Sequence, residues 1–187
     1  GNPASYMDRS VMEGNPNQML EGMIIAAYAM QATEGIIYTR ADYSIAVKRL
    51  TMAIEQAKER NLLGDNICGS GFNFEISIHQ GIEAFIGGES TALLSSIEGK
   101  RPFPKAQPPH SASKGLWGNP TSLNNAETYA TVAAIMREDR GAEWYGSMGN
   151  ENAKGCKTWA VSGNIKYNGL LEYSMHKTFQ DIIDDVG

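Results

Sequence analysis

The chain contains 187 residues, 42% hydrophobic and 20% charged, a composition typical of a soluble globular protein with material for one domain and an appendage. Its formal charge of −5 and isoelectric point near 5.2 argue against nonspecific nucleic-acid binding, which requires clusters of lysine and arginine. The two cysteines, Cys68 and Cys156, predict no disulfide framework and no zinc or iron–sulfur site formed within the chain. The apolar run over 23–30 is too short to cross a bilayer and follows no secretion signal, so we expect a cytoplasmic protein without membrane insertion.

The N-terminal segment is predicted to be irregular over residues 1–15, with Asp8 and Arg9 as a local ion pair. Asn15 followed by Pro16 is typical of a helix N-cap and first helical position. Apolar residues at helical spacing then extend this helix to about residue 33, and we expect its methionines to fill the core.

Further elements follow from helical and alternating hydrophobic periods. In chain order we predict a strand over 36–39, helices over 43–60 and from 89, a strand over 72–78, helices over 126–137 and 142–148, a hairpin joining 158–161 to 170–173, and a final helix capped by Thr178. Alternating helices and strands indicate an α/β architecture, layered with a mostly parallel sheet.

The stretch from Phe85 to Thr128 carries the strongest functional signals. Gly87 and Gly88 lead into a helix at Glu89, and a proline-rich loop separates this helix from a second one. Asn124 is predicted to cap the second helix, with Glu127 completing a capping box. Two helix N-termini at a rigid loop could cradle a phosphate-bearing cofactor, but two well-capped helices explain the same residues and are the simpler interpretation.

The runs FIGGESTALLSSIEGKR and GLWGNPTSLNNAET resemble the flavin-binding subunit of NADH dehydrogenase, respiratory complex I. The family pattern reads G-E-E-T-A-L-x-x-S-I-E-G-K-R, then P-P-F-P, then G-x-W-G-x-P-T-x-x-N-N-x-E-T. The opening PASYMDRSVMEGNP is more similar to the relative in NAD(P)-linked soluble hydrogenases. This resemblance extends from about Asn2 to the C-terminus and implies an N-terminally incomplete FMN-binding α/β domain over 1–154. Over 155–187 it implies the start of a β-grasp-like α+β module, incomplete at its C-terminus.

The resemblance also implies an activity. In the family, flavin mononucleotide (FMN) accepts a hydride from NAD(P)H and passes electrons singly to iron–sulfur centres. The upstream glycine-rich loop and the downstream cluster-binding cysteines of the family lie outside this sequence, so we expect the fragment alone to be inactive. Iron–sulfur subunits of a redox complex are the implied partners. By resemblance, the flavin contacts are Phe85, Gly88, Glu89, Leu123, Asn124, Asn125 and Thr128.

Departures from the family cluster on the dinucleotide side of the implied site. Ser90 stands in place of an acid that contacts the ribose hydroxyls, which favours NADP(H) or weakens dinucleotide binding altogether. Gln107 replaces a basic residue, His110 replaces an aromatic one, and Asn2 replaces an acid near the nicotinamide. Two hypotheses therefore stay open. One is an NAD(P)H dehydrogenase or hydrogenase flavoprotein, and the other is a paralogue that keeps the fold and FMN but serves as an electron-transfer or structural subunit.

Overall fold

A computed structural model of the chain describes residues 6–81 and 85–187. Its α-helices are α1 (Met7–Gly14), α2 (Pro16–Met30), α3 (Ser44–Glu59), α4 (Ser90–Ile97), α5 (Ser111–Lys114), α6 (Ala126–Ile135), α7 (Ala142–Ser147) and α8 (Phe179–Val186). Its strands are β1 (Glu34–Arg40), β2 (Glu75–Gly81), β3 (Cys156–Val161) and β4 (Gly169–Ser174). The architecture is mixed α/β with two small sheets, one parallel and one antiparallel.

Met7–Gly14 form a helix, so the prediction of an irregular segment was wrong for these residues, and residues 1–5 lie outside the described part of the chain. Helix α1 buries Met12 in the core. Asp8 and Arg9 do not pair, because neighbouring helical residues point about 100° apart around the axis. Arg9 instead lies one turn from Glu13, with Nε 3.6 Å from its Oε1, and Asp8 reaches across to helix α6.

Helix α2 begins as predicted. The Asn15 carboxamide accepts a hydrogen bond from the Gln18 N–H at 3.3 Å, and Pro16 occupies the first helical position. The predicted packing role of the methionines is confirmed for Met19 and Met23, which are buried in the main core. Gly22 lies directly against α6, since a Cβ atom there would fall 1.8 Å from the carbonyl oxygen of Tyr129. The two helices therefore pack with their backbones in contact.

Strands β1 and β2 pair in parallel, with Ile37 opposite Ile78, and α3 connects them. The parallel pairing confirms the predicted sheet, although β2 begins at Glu75 and so later than the alternating pattern indicated. Helix α3 buries Leu50 and Ala53 in the core, whereas its Ile45 is 57% exposed. The edge of the sheet is tied to α4, because the Tyr38 hydroxyl donates to Ser96 Oγ at 3.3 Å.

The C-terminal elements match the predicted hairpin and final helix. Strands β3 and β4 are antiparallel, and Thr178 caps α8 through a reciprocal capping box with Asp181. The hairpin is bonded to the preceding part of the chain, since the Tyr145 hydroxyl donates to the Cys156 carbonyl at 3.3 Å. The boundary at residue 154 and the incomplete β-grasp-like module stay predictions. Over 6–81 and 85–187, no helix is long and apolar enough to cross a membrane.

Candidate functional site

A cavity of about 1130 Å³ opens between β1, the helices α1 and α2, and the turns that precede α4 and α6. Ligand pockets for small molecules typically measure about 300–1,000 Å³, so this cavity has room for a nucleotide-sized ligand. Much of its wall is apolar, including core residues such as Met19, Met23 and Ile37. Its polar and charged groups come from α1, from both ends of β1, and from the loop that leads into α6.

The cavity brings together most of the residues that the family resemblance assigned to flavin. Phe85 and Gly88 line it from the turn before α4, and Leu123, Asn124 and Asn125 line it from the turn before α6. The Phe85 ring is 80% exposed, which leaves its face available to a planar ligand. A Cβ at Gly88 would meet no atom of the described residues within 4 Å, so the backbone at this turn borders open space.

Glu89 is directed into its own helix. Its carboxylate accepts hydrogen bonds from the Thr91 hydroxyl at 2.5 Å and from the Ala92 N–H at 2.8 Å. The bond from Thr91, with further donation from the Ala92 and Thr91 backbone and from Ser90, outweighs desolvation and lowers the pKa of Glu89 to about 2. Glu89 is thus an ionised N-cap of α4. Thr128, which was also predicted to contact the flavin, is absent from the described lining of the large cavity. It lines a second cavity of about 380 Å³.

The start of α6 is capped differently from the prediction. Asn125, not Asn124, is the N-cap residue, and Glu127 forms no capping box. The Glu127 N–H donates to the Asp8 carboxylate at 2.9 Å, so a residue 119 positions away caps this helix. The side chain of Glu127 leaves the helix and bonds the hairpin.

Glu127 joins the helix to strand β3. Its carboxylate accepts the Thr158 N–H at 2.8 Å and pairs with the Lys157 ammonium. Burial alone would raise the pKa of Glu127, but donation by Lys157 and by the Thr158 backbone outweighs this and lowers it. The position of the asparagine turn therefore depends on contacts with α1 and with the hairpin.

The two helix starts border one cavity, but both already hold a carboxylate of the chain. Glu89 occupies the first N–H groups of α4, and Asp8 occupies one N–H of α6. A helix N-terminus attracts anions through its unpaired N–H groups and positive end, and a bound carboxylate uses both. Sequence reasoning missed Asp8 because no local pattern reveals a contact over such a distance.

Three of the four dinucleotide-side residues lie outside the described lining of this cavity. The described residues that line it include neither Ser90, Gln107 nor His110. Ser90 donates to the Glu89 carboxylate at 3.2 Å, while Gln107 and His110 are exposed in the proline-rich loop. Asn2 lies outside the described residues. Within the part of the chain that the structure describes, no cluster of three or more His, Cys, Asp or Glu could hold a metal ion.

The fold is a mixed α/β domain with a cavity large enough for a nucleotide, and comparison gives its family. The model of the Nuo51 FMN-binding domain matches residues 1–134, so the chain belongs to this family. The resemblance drawn from the sequence is thereby confirmed.

Relatives in two kinds of complex are similar to this chain. The HndC component of the NADP-reducing hydrogenase of Solidesulfovibrio fructosivorans is 46% identical over 187 residues, which is 100% of this chain and 38% of the relative. A subunit of the NADH-quinone oxidoreductase of Escherichia coli K12 is 42% identical over 183 residues, covering 98% of this chain and 41% of the relative. The chain thus spans about two fifths of the length of these relatives.

A solved structure shares the fold. The crystal structure of an NAD+-reducing [NiFe]-hydrogenase in the H2-reduced state superposes with a TM-score of 0.82 and 33% sequence identity. The match covers 92% of this chain and 28% of that one.

Proposed function

We propose that this chain is the flavin-binding part of an NAD(P)H dehydrogenase or hydrogenase-type flavoprotein, and that its large cavity holds FMN. The observation that carries the proposal is the meeting of Phe85, Gly88, Leu123, Asn124 and Asn125 at that cavity. When bound, FMN supplies hydride acceptance from a nicotinamide dinucleotide and single-electron transfer to iron–sulfur centres. The protein supplies binding, orientation and electrostatics.

The residues present fit such a ligand. The exposed ring of Phe85 offers a face for a planar ring system, and Gly88 lets the backbone approach it closely. Asn124 donates to Ser122 Oγ at 3.1 Å, which orients its carboxamide in the cavity wall. The Asn125 carboxamide makes no hydrogen bond with any residue in the described ranges, so both its donor and acceptor remain for a ligand.

The substrate of this site is proposed to be NADH or NADPH. Ser90 brings no negative charge of its own, and the 2′-phosphate of NADPH is therefore tolerated on that side. The second hypothesis, a flavin-binding subunit without dinucleotide oxidation, is favoured by the exposed, solvent-facing placement of Gln107 and His110.

We propose iron–sulfur subunits of a redox complex as partners. The free thiols of Cys68 and Cys156 support a cytoplasmic location, since reducing compartments keep thiols unpaired.

Flavin titration tests the proposal. The full-length protein is titrated with FMN, following quenching of flavin fluorescence, and then with NADH or NADPH, following bleaching of flavin absorbance. Asn125→Ala should weaken FMN binding about five- to tenfold, as expected for one lost hydrogen bond. Asn164→Ala, an exposed loop asparagine, is the matched control and should bind normally.

The outcomes separate the two hypotheses. Flavin that binds and is bleached by a dinucleotide supports the dehydrogenase, whereas flavin that binds but is never bleached supports the electron-transfer subunit. A protein that binds no FMN, or an Asn125→Ala variant that binds it as tightly as the wild type, contradicts the cavity assignment.

A further inference from the structure

The cavity contains two cations among the described residues that line it, Arg9 and Arg40. Arg40 is engaged in a bidentate pair with Asp42, with Nε 2.8 Å from Oδ1 and Nη2 2.6 Å from Oδ2. Arg9 has no comparable pair within the described ranges. Its nearest carboxylate oxygen there belongs to Glu13 and lies 3.6 Å from Nε, beyond ordinary hydrogen-bond distance.

The guanidinium of Arg9 is held in place by aromatic rings. It lies 5.3 Å from the ring centre of Tyr43 and 5.8 Å from that of Tyr6, within the range of cation–π contact. Its Nε is buried and has no hydrogen-bond partner among the residues that the structure describes. The side chain as a whole is 40% exposed although Nε is buried, so its accessible part lies away from Nε. A planar fork of donors fixed in this way suits phosphate oxygens.

Thr39 adds a second unsatisfied polar group to the lining of the same cavity. It lies beside Arg40 at the end of β1, and Arg40 also stacks on the Tyr43 ring, at 5.3 Å. Thr39 is 3% exposed, and its Oγ1 finds no hydrogen-bond partner in the described ranges. A buried hydroxyl without a partner is unusual and is explained when a ligand supplies the partner.

The two cations of the cavity are compensated to different degrees, because Asp42 pairs closely with Arg40 while Glu13 lies 3.6 Å from the Nε of Arg9. Asp8, next to Arg9 in sequence, is committed to the Glu127 N–H of α6. Glu89 is committed to the start of α4. Because both helix starts are occupied by carboxylates, a phosphate is repelled from them and attracted to Arg9.

We propose that Arg9 and Thr39 form a phosphate subsite of the cavity, with the Arg9 N–H groups and the Thr39 hydroxyl donating to phosphate oxygens of the bound nucleotide. The proposal rests on the proposed function and deepens it. The phosphate belongs either to the flavin or to the dinucleotide, and these two sources share one recognition chemistry.

Comparison of FMN with riboflavin, which lacks the phosphate, tests the subsite without any measurement of turnover. The full-length protein is titrated with each flavin by fluorescence quenching. The wild type should bind FMN more tightly than riboflavin. Arg9→Gln should weaken FMN binding about 10- to 100-fold, the range expected for a lost charged hydrogen bond, and leave riboflavin binding unchanged. Arg9→Lys should restore part of the FMN affinity because it keeps the charge but not the fork.

Arg140→Gln is the matched control. Arg140 also lies over an aromatic ring, 4.3 Å from the centre of Trp144, but it is absent from the described lining of the cavity. The Arg140→Gln variant should bind both flavins like the wild type. Circular dichroism and melting curves of each variant establish that it is folded.

The binding measurements show whether the phosphate at this subsite belongs to the flavin or to the dinucleotide. Selective loss of FMN affinity places it on the flavin. Unchanged FMN affinity, with weakened NADH or NADPH binding to the FMN-loaded protein, places it on the dinucleotide. If Arg9→Gln changes neither, or weakens riboflavin as much as FMN, the subsite is refuted. Failure of the proposed function looks different, because the wild type then binds neither flavin.

Discussion

Replacing Thr39 with valine should stabilise the ligand-free protein, although the substitution lies at the proposed binding site. Thr39 is 3% exposed and its hydroxyl has no partner among the described residues. An unsatisfied buried polar group costs about 1–3 kcal/mol, and valine keeps the shape of threonine with a methyl in place of the hydroxyl. We therefore expect a gain of about 1–2 kcal/mol in the free energy of unfolding, or about 2–8 °C in Tm.

The same exchange at Thr121 gives the opposite sign and serves as the control. Thr121 Oγ1 accepts the Leu116 N–H at 2.9 Å and donates to the Asn119 carbonyl at 3.0 Å. Thr121→Val removes both bonds and leaves the N–H unpaired, so it should lower the free energy of unfolding by about 1–3 kcal/mol. Urea unfolding followed by far-ultraviolet circular dichroism measures both variants.

Saturating FMN provides the decisive comparison. If the Thr39 hydroxyl donates to a phosphate of FMN, the wild type gains that bond on binding while Thr39→Val does not, and the advantage of the variant shrinks. If Thr39→Val is no more stable than the wild type without ligand, the claim that the Thr39 hydroxyl is unsatisfied is refuted. An advantage that FMN leaves unchanged would refute its contact with the flavin phosphate.

Two further predictions concern the elements that frame the cavity. Gly22→Ala should lower the free energy of unfolding by about 1–3 kcal/mol or more, because the new Cβ would lie 1.8 Å from the carbonyl oxygen of Tyr129. Gly14→Ala is the control, because a Cβ there meets no described atom within 4 Å. It should be neutral or stabilise the protein by up to about 1 kcal/mol in the same urea assay. Equal effects of Gly22→Ala and Gly14→Ala would contradict the close packing of α2 on α6. The pKa of Glu89 falls from 4.5 to about 2 in the folded protein, so its stabilising effect is complete above pH 4.5 and is lost as the pH falls through 2. Glu89→Gln should remove this part of the acid dependence in urea unfolding at pH 5 and pH 2.5, and an unchanged dependence would show that Glu89 is not the capping carboxylate.

Local sequence patterns were sufficient for elements whose causes are local. The cap at Asn15, the capping box at Thr178 and the strand around Ile37 follow from side chains within a few residues of each other. Helix α1 was missed because its N-cap residue, Tyr6, gives no side-chain hydrogen bond, and the Asn15–Pro16 start of α2 follows at once. A short helix without a capping residue carries little local signal.

The family pattern predicted the residues of the site, whereas local features allowed a cradle between two helix starts only as one of two interpretations. Phe85 and Asn125 are far apart in sequence, and the helix starts that follow them are explained equally well by capping alone, so local features could not decide that they border the same cavity. Capping at α6 was wrongly assigned because Glu127, three residues after Asn124, satisfies the local capping-box rule. In the fold, Thr158 and Lys157 offer its carboxylate stronger partners, and Asp8 takes over the N–H. Tertiary hydrogen bonds overrode a local one.

Helix α1 therefore has two functions that follow from its helical geometry. Asp8 and Arg9 are neighbours in sequence and project about 100° apart, so the acid reaches the start of α6 while the base lies over the Tyr6 and Tyr43 rings, and both residues line the cavity. An irregular segment would have let the two side chains neutralise each other. Because the helix separates them, the carboxylate fixes the turn that carries Asn125, and the guanidinium keeps its donors for a ligand. The place of Arg9 in the cavity wall thus depends on the folding of this one short helix.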